Sequence, residues 1–176
     1  MKPIALATIT FALMFSFAAA NEPVTTTQPA KKTPAAIPHC EVPCGIYADQ
    51  MRFEQMLEDT RTIAKSIAFI NDFANNLGEG PSPTAINQVT RWVNTKESHA
   101  TNTQHIVAQY FLTQRIKSDH KDYTGQLATA HKVMVAAMKC KQDANPATAV
   151  ALKKAILDLY RAYEGKEPAA EMHGEK

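Results

Sequence analysis

Glycine occurs only six times in 176 residues, and neither GxGxxG nor GxxxxGK[ST] is present, which removes the common nucleotide-binding loops. An excess of charge of one sign is lacking too: 19 Lys and Arg face 17 Asp and Glu, and no basic run interleaves with aromatics. No phosphate-tracking surface follows from that pattern, and nucleic acid is not an expected partner. Cysteine is limited to three and tryptophan to one, and the two-residue alternation of a half-buried strand is absent. What remains, 45% apolar and 20% charged residues, suits one soluble domain whose function resides in a small local feature.

The first 38 residues stand apart from the rest. Residues 1–20 carry Lys2, an apolar run from Ile4 to Phe17, and Ala18-Ala19-Ala20 before Asn21, the layout of a secretory signal peptide. The run is too short for a membrane span, so export, most simply to the periplasm, is the expectation. Residues 21–38 (NEPVTTTQPAKKTPAAIP) are rich in Pro, Thr, Ala and Lys and cannot build a core, as in a linker or a pro-segment removed on maturation. Removing Lys2, Lys31, Lys32 and Glu22 leaves sixteen basic and sixteen acidic residues, so the slight basicity belongs to the disposable part.

From Ala48 onward a 3.6-residue period takes over. A first helix is predicted from Asp49 to Leu77, with Phe53, Met56, Ile63, Ile67 and Ile70 on one stripe, ending at Gly78-Glu79-Gly80-Pro81. Ser82-Pro83 caps a second, through Ile86, Val89, Val93, His99, Ile106, Tyr110 and Phe111 to Ile116. Its polar middle, Asn94 to Gln104, is expected to face a subunit interface, a site or solvent, with Trp92 and Tyr110 as interface candidates. A third helix is predicted over 122–141, with Leu127, His131, Met134, Val135 and Met138 inward. A fourth follows over 147–163, with Leu152, Ile156, Leu159, Tyr160 and Tyr163 on one face. The expected fold is all-α, an antiparallel up-and-down four-helix bundle over 48–165, followed by a polar tail at 166–176. His105 and His131 read as core or interface, and Cys140 as a half-buried free thiol.

The chemistry is concentrated at 39–47, His39-Cys40-Glu41-Val42-Pro43-Cys44-Gly45-Ile46-Tyr47, where three metal-capable side chains fall within six residues ahead of any regular structure. A local Cys40–Cys44 disulfide is one reading for an exported chain, although so short a loop gains little stability from closure. Zinc is another, but a fourth ligand is not supplied nearby. The third requires a cut between Pro38 and His39, which frees an α-amine of pKa near 8. That amine, the Cys40 amide nitrogen and the two thiolates then offer a square-planar N/S donor set, with the His39 imidazole in reach of an axial position, a pattern that favours Ni(II) or Cu(II).

The motif His39-Cys40-x-x-Pro43-Cys44-Gly45-x-Tyr47, after a pro-segment and before a helical bundle, resembles the nickel hook of nickel-containing superoxide dismutases over about residues 39–165. The resemblance implies one nickel per subunit, held by His39 (amine and, in the oxidised state, imidazole), Cys40 (amide and thiolate) and Cys44 (thiolate). It implies disproportionation of superoxide to dioxygen and hydrogen peroxide by Ni(II)/Ni(III) cycling. It gives Tyr47 a place over the open face, where it limits access and orders a small anion. Outside the ligands, Glu54 matches the carboxylate that holds the axial imidazole, if this chain has one residue fewer before it. Lys96-Glu97 matches a Lys-Glu pair, so the family's arginine falls on His99, with Arg91 as a substitute. A homohexamer with inward hooks and a maturation protease are implied as well. The sequence does not choose between Lys65 and Lys96 as groups that draw in the anion. The competing expectation is an exported Ni/Cu-binding or thiol redox module without dismutase turnover.

Overall fold

The computed structural model describes residues 49–78 and 80–169, and these are built from helices alone: α1 (Gln50–Asn75), α2 (Pro83–His105), a π-helical segment (Ile106–Arg115) continuing α2, α3 (Tyr123–Gln142) and α4 (Pro146–Glu164). No strand occurs among the described residues. The predicted signal peptide, pro-segment and 39–47 motif lie outside them, as does the end of the tail.

Helix ends fall where the cap residues dictate. The Ser82 side chain accepts a hydrogen bond from the Ala85 amide at 3.2 Å and Pro83 occupies the first turn of α2. Asn145 and Pro146 repeat the device for α4, whose other end closes on Gly165 at a φ of 68°, a conformation that favours glycine.

The four helices form a ring, α1 packing on α2 and α4, and α3 on α2 and α4. The start of α1 meets the end of the π-helical segment and the end of α4, so helices adjacent in the ring run in opposite directions. Phe53 stands at the centre of the aromatic core, its ring 4.7 Å from Phe111 and 5.0 Å from Tyr160. Met56, Ile63, Ile67, Val107, Val133, Leu152, Ile156 and Leu159 complete a core closed to solvent. Burial of this apolar surface is the main favourable term in the fold.

Several expectations are corrected. The inward face of α3 is shifted from the expected one: Ala130, Val133, Ala136, Ala137 and Cys140 are buried and Leu127 and Met134 pack partly buried against the core, whereas His131 is exposed and Met138 is 40% exposed. Ala149, Leu152 and Ala155 are among the apolar residues buried on α4, the helix against which α3 packs. Cys140 is accordingly a fully buried free thiol, which burial pushes above its ordinary pKa. The polar middle of α2 divides: Lys96 and Thr103 are buried and the Gln104 amide donates to the Met134 carbonyl at 3.1 Å, whereas Asn94, Ser98 and Thr101 are exposed as expected. His105 is exposed and so is not part of this chain's core, and the interface candidate Tyr110 is 5% exposed with its hydroxyl bonded internally.

Candidate metal centre and its scaffold

His39, Cys40, Cys44 and Tyr47 all lie outside the described residues, so the scaffold begins where the chain enters α1. Among the described residues no three His, Cys, Asp or Glu side chains converge as a metal site. The donor set is therefore judged on its chemistry. Thiolate, ionised amide and amine are strong donors that suit nickel and copper, whereas hard cations such as magnesium and calcium take oxygen ligands.

Asp49 is the first described residue, two positions after Tyr47. Its carboxylate accepts hydrogen bonds from the Tyr110 hydroxyl, from the Tyr163 hydroxyl at 2.6 Å and from Arg115 Nη2 at 2.8 Å. Burial raises its carboxyl pKa, but these bonds and the Arg115 charge outweigh it, and the group ionises below the ordinary carboxylate range. Burial, reinforced by the bond to Asp49, pushes Tyr163 up to about 12 and raises Tyr110 as well. Both phenols are thus neutral donors at neutral pH.

The π-helical winding is what brings two of these donors together. Its bonds run from residue i to i+5, as from the Ile116 amide to the Phe111 carbonyl at 2.8 Å. Tyr110 and Arg115, five apart, consequently face the same carboxylate, and the Arg115 guanidinium lies 5.9 Å from the Tyr110 ring centre. Arg52, one turn into α1, lies 5.1 Å from the same ring.

The residues expected around the hook are placed as follows. Glu54 is exposed on the second turn of α1 and accepts from the Gln50 amide at 3.3 Å. His99 is held elsewhere: its Nδ1 bonds to Asp59 Oδ1 at 2.6 Å, and Asn102 and Thr103 donate to the other oxygen of Asp59 at 2.8 and 3.4 Å. A carboxylate accepting from Nδ1–H leaves Nε2 to face outward. Gln55, Glu58, Ser98 and Asn102 join this pair around a cavity of about 360 Å³. Arg91 is exposed two turns earlier on α2. Lys65 lies over the Trp92 ring at 5.8 Å, and Lys96 donates to Glu97 and to two backbone carbonyls of α3, so Lys96 is turned inward.

Asp49, Arg115 and Asp59 were not singled out by the sequence, and Tyr163 was expected only as part of the inward face of α4. An aspartate ahead of a helix reads as an ordinary cap, and its partners lie 61, 66 and 114 residues away.

The family model for nickel-containing superoxide dismutase matches residues 33–167. No curated protein and no solved structure matches the chain.

Proposed function

The chain belongs to the nickel-containing superoxide dismutase family, hence is a nickel-dependent oxidoreductase acting on superoxide, and we propose that His39, Cys40 and Cys44 hold its metal after cleavage between Pro38 and His39. The observation that carries this is the extent of the match: it starts at residue 33, before the histidine, and runs through the motif and all four helices.

When bound, nickel supplies a one-electron couple by which one superoxide is oxidised to dioxygen and a second, with two protons, is reduced to hydrogen peroxide. The chain's part is to bind and to order. The His39 amine, the Cys40 amide nitrogen and the Cys40 and Cys44 thiolates are the donors, with the His39 imidazole as an additional ligand. Tyr47 limits access and orders the small anion. Glu54, exposed on the second turn of α1, is the carboxylate available to orient that imidazole. His99, at the position matched to the family's arginine, is bonded to Asp59.

Read as a signal peptide and a pro-segment, residues 1–20 and 21–38 support an exported compartment, most simply the periplasm. A homohexamer with inward hooks would shield the thiolates from the peroxide formed, since exposed thiolates are oxidised readily. Exposed Leu77, Ile86, Val93 and Val150 are apolar surface available to such an assembly.

The test is an intact mass and a metal analysis on one sample of the protein from its native host. A chain beginning at His39 with about one nickel per subunit supports the proposal. A chain beginning at Asn21, without nickel and with Cys40 bridged to Cys44, overturns it in favour of a thiol or binding module.

A further inference from the structure

Asp49 occupies the N-cap position of α1, where a short acidic side chain ordinarily accepts from the amides of its own helix. It makes no such bond. Both carboxylate oxygens are instead directed to other elements, to Tyr110 and Arg115 of the π-helical segment and to Tyr163 at the end of α4. The side chain is 12% exposed, so the knot is shielded from competing water. A capping carboxylate stabilises only its own helix end, whereas this one ties that end to two other elements.

Covalent geometry sets how far the constraint reaches. Two residues span at most about 7 Å between Cα atoms and five span at most about 18 Å, so Tyr47 is bound closely to the position of Asp49 and Cys44 more loosely.

We propose that Asp49, gripped by Tyr110, Arg115 and Tyr163, is a positioning residue that fixes where the metal-binding segment leaves the bundle, and that it acts on the reaction through Tyr47. The inference rests on the reading of residues 39–47 as the nickel-binding segment. Helix ends fray by default, and an untied first turn would let the chain upstream wander with it. The ligands are held to one another through the metal. Tyr47, which is not among the proposed ligands, stands two residues from the anchor along the chain. The knot therefore controls how the small anion is ordered more than how much nickel is bound.

The test compares processed, nickel-loaded wild type with Asp49→Asn, Tyr163→Phe, Tyr47→Phe and the Asp49→Asn/Tyr47→Phe double variant. Three quantities are read: nickel per chain, the inhibition constant of azide as an unreactive anion, and amide hydrogen exchange over residues 47–53 in the metal-free proteins. Asp49→Asn is expected to keep about one nickel per chain, to exchange at least tenfold faster over that stretch, and to shift the azide constant severalfold. The double variant is expected to match Tyr47→Phe within about twofold, because both changes act at one place. Single effects that multiply in the double variant overturn the proposal, as does an Asp49→Asn protein indistinguishable from wild type in exchange and azide binding. Should Asp49→Asn lose its helical circular dichroism, Tyr163→Phe, which deletes one donor of three, carries the same comparison in a double variant with Tyr47→Phe. A wild type without nickel overturns the reading of residues 39–47 instead, and shows in the metal analysis before any variant is compared.

Discussion

The Lys96 ammonium, 5% exposed, donates to the carbonyl oxygen of Cys140 at 2.6 Å, so that α2 closes the C-terminal end of α3. It also reaches the Lys141 carbonyl at 2.8 Å, satisfying two of the acceptors that a helix end leaves open. The charge is favourably placed at the negative end of the helix dipole.

Replacing Lys96 by Met is therefore expected to destabilise the protein by about 1–3 kcal/mol, the cost of leaving buried acceptors without partners. A urea titration that finds an unchanged midpoint contradicts the capping role. Because the ammonium is turned inward, the same substitution is expected to leave the ionic-strength dependence of superoxide turnover as it was.

The Asp49 knot gives stability a pH profile with a definite sign. Tyr163 has its pKa pushed up to about 12 in the folded chain against an ordinary value of 10. The stability it confers is fully present below pH 10 and is lost as the pH rises towards 12. Asp49 is shifted the other way, so its contribution is present above its ordinary value of 3.8 and is lost on acidification below it. Melting temperature measured against pH is expected to fall in both windows. In Tyr163→Phe the alkaline fall should shrink, and an unaltered alkaline limb would remove Tyr163 as its cause.

Helix boundaries were legible because their signals are local. Ser82-Pro83, Asn145-Pro146 and Gly165 each dictate a cap through their own backbone chemistry, and the predicted ends fall within two residues of those found. The buried face of α3 was only partly legible, since Met134, Val135 and Met138 outweigh Ala130, Ala136 and Ala137 in apolarity while the smaller residues are the ones buried. The π-helical segment escaped for a related reason. Its apolar residues continue the 3.6-residue pattern of α2, and the widened turn is set by bonds across five residues. The proposed metal ligands His39, Cys40 and Cys44 lie together in sequence, so their pattern needs no tertiary fold to be noticed. Asp49 and Asp59 needed one, each collecting donors from distant helices.

Asp59 is 4% exposed and accepts from His99, Asn102 and Thr103, joining α1 to α2. Taking away one donor by His99→Ala leaves two for a buried carboxylate, and a loss of about 1–3 kcal/mol follows. Nickel per chain is expected to stay at the wild-type value. A variant that keeps full stability but loses nickel would instead give His99 a role at the metal.

The proposed donor set at residue 39 requires a free α-amine, so a chain carrying one additional residue before His39 would offer an amide nitrogen in its place. An α-amine with a pKa near 8 sheds its proton to a metal readily, while an amide nitrogen is a far weaker acid and shifts the register of every donor after it. The extended chain, otherwise correctly folded by circular dichroism, is expected to bind no nickel and to show no dismutase activity above free metal. Cys40→Ser and Cys44→Ser are expected to give the same result by removing a thiolate, whereas Tyr47→Phe keeps its nickel and changes only anion affinity or rate. Full nickel occupancy in the extended chain would mean that the amine is not a ligand, and full loss of nickel in Tyr47→Phe would make the tyrosine part of the binding set.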